Sequence, residues 1–385
     1  STDAKHVLRE VRVMRHLGQH ENIVTLEDLF SNNLEDELYI VMELLHSDLH
    51  RVIQSSQASS TSHHRLFMIQ ILRGVEFLHR NDVIHRDLKP GKAKGWDGRG
   101  WARLFVTRIS RNILVTRNCE LRISDFGLAR GRPKTGQAGA ESCDEDGMTE
   151  HVVTRWYRPP ELMLSPNGFY GFSVDIWSVG CIFGELIGRQ PLFPGSGFKD
   201  QLSLIFDVLG APAPEEIGHI RGAQARKFLE QVKRNNGVSF MDLLPGINSD
   251  AASLMTNLLL FDPDKRCTAS EALLHSFFED FRNDDPLKGD TPTGLHFEFE
   301  HRSVSTTTLR DLIAKEVDYF QSGANLKIHK RREAHAVDSG RLCVPAVTVA
   351  TTAAAAAAAA TSAAFSTRED AAPANRYYSE SPNGL

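Results

Sequence analysis

The chain is 385 residues long, with 41% hydrophobic and 24% charged residues and a formal charge of −5. That is enough apolar material for one large or two modest cores, and the acidic balance excludes a nucleic-acid binder that works by bulk positive charge. Five scattered cysteines without Cys-x-x-Cys spacing (Cys119, Cys143, Cys181, Cys267, Cys343) point to free thiols rather than a disulfide framework or a zinc site. No apolar run reaches the length of a membrane span, so neither a membrane nor a nucleic-acid partner is expected. The chain opens without Met and almost inside a helix, and a missing upstream piece is expected.

In chain order, Thr2 to Leu17 places Val7, Val11 and Met14 at helical spacing, with Thr2 or Asp3 as cap and Gly18 as stop. Leu38 to Met42 is a short β-rich apolar run, read as a buried strand. Leu66 to Leu78 has helical periodicity and leads into Val83-Ile84. Two strands, Ile113–Val115 and Leu121–Ile123, are joined by the polar turn Thr116-Arg117-Asn118. Beyond residue 155 the pattern is helical. Val174 to Leu186 is apolar on nearly every face, as expected of a helix through a core, and Asp175 within it must be hydrogen-bonded. The whole reads as an α+β chain in two lobes. Residues 322–385 carry Lys330-Arg331-Arg332, an alanine tract at Ala353–Ala360 and a Ser/Pro/Asn-rich end, and are expected to be a disordered tail. The basic cluster is read as solvated, with a nuclear import signal as the alternative.

Three patterns carry chemistry: His85-Arg86-Asp87-Leu88-Lys89-Pro90 after Val83-Ile84, Asn112 before Ile113-Leu114-Val115, and Ser124-Asp125-Phe126-Gly127. Together with Thr154-Arg155-Trp156-Tyr157-Arg158-Pro159-Pro160-Glu161 they resemble the catalytic loop, metal-binding motif and activation segment of protein kinases. Phosphoryl transfer uses Mg²⁺, which prefers hard oxygen ligands. The resemblance implies ATP and Mg²⁺ as cofactors, with Asn112 and Asp125 as metal ligands, Asp87 as base, Lys89 at the γ-phosphate and Thr154 in the catalytic group. It further implies that Glu10 pairs with the ATP-positioning lysine, that Met42 is the gatekeeper, that Glu43, Leu44 and Leu45 form the adenine-binding hinge, and that Leu114 lies under the ring. Glu161 and Arg266 match a buried ion pair tying the activation segment to the helical lobe.

Within the kinases the chain resembles MAP kinases up to about residue 321, with cyclin-dependent kinases as the alternative family. Met148 to Arg158 resembles the activation lip, Gly210 to Leu229 the insert region, and Phe297 to Gln321 an extension that wraps onto the small lobe. The resemblance implies a switch at Thr149 and, at His151, the place of a second phosphorylated residue. Arg9, Arg86 and Arg130 would surround the phosphothreonine, and Arg155 and Arg158 would hold a phosphotyrosine. Asp284 and Asp285 resemble a docking site for basic peptides. Implied partners are an upstream MAP kinase kinase and protein substrates with docking motifs, for a monomer in cytoplasm and nucleus. The expected layout is a two-lobed protein kinase fold over 1–278 (small lobe 1–43, truncated at its N-terminus, and large lobe 44–278), an extension over 279–321 and the tail.

Three departures stand out. No glycine-rich loop or Val-Ala-x-Lys strand precedes Glu10. Asp87 and Asn112 are 25 positions apart, where the kinase pattern Asp-x-x-x-x-Asn has five. Residues 91–110 hold the excess and are read as an aberrant insert that splits the catalytic loop. His151 stands where the family carries tyrosine, and Pro159 replaces the usual alanine. A catalytically inactive docking scaffold is the rival function.

Overall fold

The computed structural model describes residues 2–32, 37–91, 112–131, 155–164, 171–218, 220, 222–281 and 304–322. All lie in the compact unit Ser1–Val347. Helix α1 spans Thr2–Leu17, burying Leu8, Val11, Val13, Met14 and Leu17. It stops at Gly18, whose φ of 65° is the left-handed conformation that glycine adopts without cost.

Strands β1 (Leu26–Asn32) and β2 (Glu37–Met42) form an antiparallel pair. The expected burial of β2 is corrected here: only Val41 is buried, and the other five residues are half-buried. Among the described residues this strand pairs with β1 alone, so they leave its other edge without cover.

The larger part begins with β3 (Ser47–Asp48) and α2 (Leu49–Ile53), whose N-cap is Asp48. Helix α3 (Thr61–Arg80) opens with a reciprocal cap between Ser60 and His63. Then come β4 (Val83–Ile84), β5 (Ile113–Val115), β6 (Leu121–Ile123), a 3-10 turn at Phe126–Leu128 and β7 (Arg130–Gly131). The sheets run β3-β5-β6 and β4-β7, and the hairpin turn places Cys119 at φ 61°.

From residue 155 on, the described segments are helical: α4 (Pro160–Leu164), α5 (Ser173–Gly188), α6 (Phe198–Leu209), α7 (Ala223–Gln231), α8 (Phe240–Leu243), α9 (Ser249–Leu258), α10 (Ala269–Leu273), a 3-10 turn at Ser276–Phe281 and α11 (Thr306–Gln321). Every residue of α5 from Val174 to Leu186 is buried. A Cβ on Gly180 would sit 2.7 Å from Leu259 Cγ and Cδ2, so glycine is what lets α5 approach the end of α9. Helix α5 is thus the central post around which the large lobe packs.

Candidate active site

The loop after β4 is held from below by α5. Asp175, fully buried, accepts hydrogen bonds from the His85 and Arg86 backbone N–H groups, each at 2.8 Å, and lies 3.0 Å from His79 Nε2. Burial pushes its carboxyl up, but the His79 bond and charge, His85 and the Arg86 N–H outweigh burial and hold it below the usual carboxylate range. That is the partner set required of a charge inside an apolar helix. Arg86 takes the left-handed conformation, at φ 71°.

His85 Nε2 lies 3.0 Å from the Ser124 carbonyl, so it carries the proton, and Nδ1 accepts the Asp87 N–H at 3.3 Å. The ring meets Phe126 edge-on at 5.3 Å. One histidine therefore joins the loop bearing Asp87 to the segment bearing Asp125.

Asp87, Lys89 and Asn112 converge. Lys89 Nζ lies 2.6 Å from Asp87 Oδ2. Asn112 Nδ2 donates to the Asp87 carbonyl and, at 3.1 Å, to Asp87 Oδ2. The 25-residue separation thus does not keep the two apart, because β5 and β6 hold Asn112 from their own side. The Ser124 N–H bonds the Asn112 carbonyl at 2.9 Å. On the other flank, the His50 N–H holds the Pro90 carbonyl at 3.1 Å. Residues 92–110 of the insert lie outside the described residues.

Asn112 Oδ1 is buried and has no hydrogen-bond partner. A lone amide oxygen in such a place suits a cation. Asp125, next to the Ser124 that bonds Asn112 across the ends of the hairpin, sits at φ 66°. Burial first, then the negative charge of Asp87, pushes its carboxyl above the ordinary range, against the pull of His85, Lys89 and the Gly127 N–H. A buried carboxylate raised by a neighbouring negative charge is what a divalent cation relieves, so the donor set fits Mg²⁺.

Helix α1 packs on the Phe126–Leu128 turn. Arg9, buried at 3% exposure, donates to the Gly127 carbonyl, and Glu10 is half-buried on the same helix. Met42 ends β2. Glu43 Oε1 accepts the Thr25 N–H at 3.2 Å and lies 3.3 Å from Arg122 Nε, tying the stretch after β2 to β6. Burial raises its carboxyl despite Arg122 and the Thr25 N–H. Leu44 is exposed, Leu45 half-buried, and Leu114 half-buried in the middle of β5. Arg86 follows β4, and Arg130 lies on the paired strand β7 opposite Ile84. Arg155 and Arg158 are half-buried, with the Arg158 N–H on the Arg155 carbonyl at 3.0 Å. Thr149, His151, Thr154, Asp284 and Asp285 lie outside the described residues.

Glu161 and Arg266 form a two-pronged pair at 2.6 and 2.7 Å. Next to it is a group that sequence reasoning passed over: Tyr157 Oη donates to Glu185 Oε2 at 2.5 Å. Burial raises the Glu185 carboxyl to about 7, against the Tyr157 bond. The signal was available, since Glu185 is, like Asp175, a carboxylate inside an apolar helix.

Base-capable carboxylate, lysine, amide and second carboxylate at the mouth of β5–β6, in one fold with a buried ion pair that ties α4 to the segment after α9, are the site of a phosphoryl-transfer enzyme of the protein kinase class. The family model for the protein kinase domain matches residues 1–92 and 110–278, leaving out most of the insert. Mitogen-activated protein kinase 4a of Physcomitrium patens is 39% identical over 320 residues, 82% of this chain and 76% of that protein. Mitogen-activated protein kinase 2 of Arabidopsis thaliana is 42% identical over 278 residues, 71% of this chain and 66% of its own length. Extracellular signal-regulated kinase 1 of Dictyostelium discoideum is 39% identical over 321 residues, 82% of this chain and 54% of that protein. The chain belongs to the MAP kinase family of protein serine/threonine kinases.

Proposed function

We propose that this kinase transfers the γ-phosphoryl group of ATP to Ser or Thr followed by Pro in protein substrates, as one step of a signalling cascade. The observation that carries the reading is the convergence of Lys89 and Asn112 on Asp87, with Asn112 Oδ1 buried and without a hydrogen-bond partner. In this reading Asp87 accepts the proton of the substrate hydroxyl as its oxygen bonds to phosphorus and the bond to the β-phosphate oxygen breaks. Lys89, held at 2.6 Å from that carboxylate, orients it and neutralises charge on the transferring group. Asn112 Oδ1 and the Asp125 carboxylate would hold Mg²⁺, which when bound draws charge from the phosphate oxygens. Backbone groups of Glu43 and Leu45 meet adenine, with Met42 behind and Leu114 beneath it, and Glu10 orients the phosphate-binding lysine.

Regulation runs through Thr149, with Arg9, Arg86 and Arg130 as its phosphate partners. His151 supplies no second phosphate to Arg155 and Arg158, and Thr154 belongs to the catalytic group. Asp284 and Asp285 receive basic docking segments of a MAP kinase kinase and of substrates. The protein acts as a monomer in cytoplasm and nucleus.

The 385 residues contain no glycine-rich loop ahead of Glu10, and positioning supplies most of the catalysis in this reaction. A Ser-Pro peptide assay is therefore run on the chain alone and on one extended by such a loop and its strand lysine. Robust turnover is expected of the extended chain only. Asp87→Asn in that chain lowers kcat by about 10²–10⁴-fold. Unchanged turnover in Asp87→Asn, or none in the extended parent, leaves the docking scaffold as the function.

A further inference from the structure

Helix α1 is gripped from two sides. On one side it lies on the Phe126–Leu128 turn, through Arg9 and the Gly127 carbonyl. On the other it meets α11, more than three hundred residues along the chain, which also packs on β1. Helix α11 presents Leu309, Glu316, Val317 and Phe320 as its buried residues. Three of those four are apolar, so the carboxylate is the exception on that face.

Glu316 has 4% side-chain exposure. Its Oε1 accepts from Arg12 Nε at 2.9 Å, and its Oε2 lies 2.7 Å from Arg15 Nη1, a close ion contact that is not aligned as a hydrogen bond. The Arg15 guanidinium also lies 4.7 Å from the centre of the Tyr319 ring. Arg9, Arg12 and Arg15 follow one another at three-residue steps along α1. One carboxylate thus fixes the two arginines that continue the row begun by the arginine on Gly127.

Resting on the kinase reading, we propose that Glu316 is a positioning residue for the active site: by gripping Arg12 and Arg15 it sets the seat of α1, and through Arg9 the place of the Asp125–Gly127 segment. Two features separate this from a contact that merely holds the extension down. A buried carboxylate between two arginines costs desolvation that an apolar residue on the same face would not, so anchorage alone is better served by leucine. The grip also falls on the one described helix that carries both Arg9 and Glu10. Helix α1 moves as a rigid rod, so a change in its seating at Arg12–Arg15 reaches Gly127 one to two turns away.

The test uses the full chain and Glu316→Gln, which keeps shape and removes charge. Two readouts are taken: hydrogen exchange of the α1 and Phe126–Leu128 amides, and the Mg²⁺ concentration that half-saturates binding of a fluorescent ATP analogue. The expected result is about tenfold faster exchange in both segments, α5 and α9 unchanged, and a half-saturating Mg²⁺ concentration raised several-fold. Faster exchange in α11 alone, or in α1 without any change at Phe126–Leu128 or in the Mg²⁺ requirement, reduces Glu316 to an anchor and overturns the proposal. Should Glu316→Gln fail to fold, the Arg12→Lys/Arg15→Lys variant keeps the charges, loses the planar forks, and is judged by the same readouts. If the parent chain binds no nucleotide, the Mg²⁺ readout is taken in the chain extended by the glycine-rich loop and its strand lysine; no binding there overturns the kinase reading, and exchange at Phe126–Leu128 then decides the positioning claim by itself.

Discussion

Arg266→Ala tests how the activation segment is tied down. The Arg266 side chain is fully buried, and Glu161 is 7% exposed. All five N–H groups of the guanidinium are used: two on the Glu161 carboxylate at 2.6 and 2.7 Å, and one each on the carbonyls of Leu260 at 2.7 Å, Ser173 at 3.1 Å and Phe261 at 3.2 Å. Its carbon lies 4.9 Å from the centre of the Trp177 ring. Truncation to alanine leaves a buried carboxylate without its countercharge and three carbonyls without this donor. Breaking such a pair from one side costs about 3–5 kcal/mol. Glu161→Gln leaves the three carbonyl bonds in place and should cost less, roughly 1–3 kcal/mol. The double variant should fall short of the sum, since neither change then strands a charge. Guanidinium denaturation at pH 7 of the four proteins measures this. An Arg266→Ala loss below about 1 kcal/mol, or strict additivity, refutes the reasoning.

The remaining predictions concern pH, the insert and the lip. Glu185 holds its proton to about pH 7 when folded, against an ordinary value of 4.5, so between those pH values the folded state binds the extra proton and stability falls as pH rises. The loss is on the order of 3 kcal/mol across that window, and Glu185→Gln should flatten it; parallel stability curves for the two proteins from pH 5 to 8 would show that burial does not hold that proton. Deleting 91–110 shortens the connection from Asp87 to Asn112 fivefold, and loop-closure entropy alone then stabilises the fold by roughly 1.4 kcal/mol. A net loss on deletion means that the insert makes contacts of its own. In the extended chain, phosphorylation should raise activity, and Thr149→Ala should abolish the gain; full activity without the phosphate leaves Thr149 an ordinary loop residue.

What was legible in the sequence was local. Helix α1, helix α3, the β5–β6 hairpin and the apolar α5 each announce themselves within a window of a few turns. Strand β1 did not, because the register shift between Leu26 and Asp28 puts the buried Leu26 and Leu29 three apart and breaks the alternation that marks a strand. Strands β3 and β7 are two residues long and have no period to read. At the site, Asp87, Lys89, Asn112 and Asp125 were readable from contiguous motifs. That Asp87 and Asn112 touch was not readable from their separation, since chain distance says little once two strands hold one partner in place. Glu185 with Tyr157, and Glu316 with Arg12 and Arg15, join positions 28 and 304 or so apart, and no local pattern records such pairs.

The most direct measurement compares Asp125→Asn with its parent in the extended chain, following γ-phosphoryl transfer to a Ser-Pro peptide across a Mg²⁺ titration and nucleotide binding in parallel. With Asn112 Oδ1 and the Asp125 carboxylate as the cation's ligands, the variant should still bind nucleotide without Mg²⁺. Its transfer should fall by two orders of magnitude or more, on the scale of about 10²–10³ for losing one charge-stabilising group, with the Mg²⁺ requirement shifted upward. Normal turnover with an unshifted Mg²⁺ dependence would contradict the assignment of this site as the centre of phosphoryl transfer.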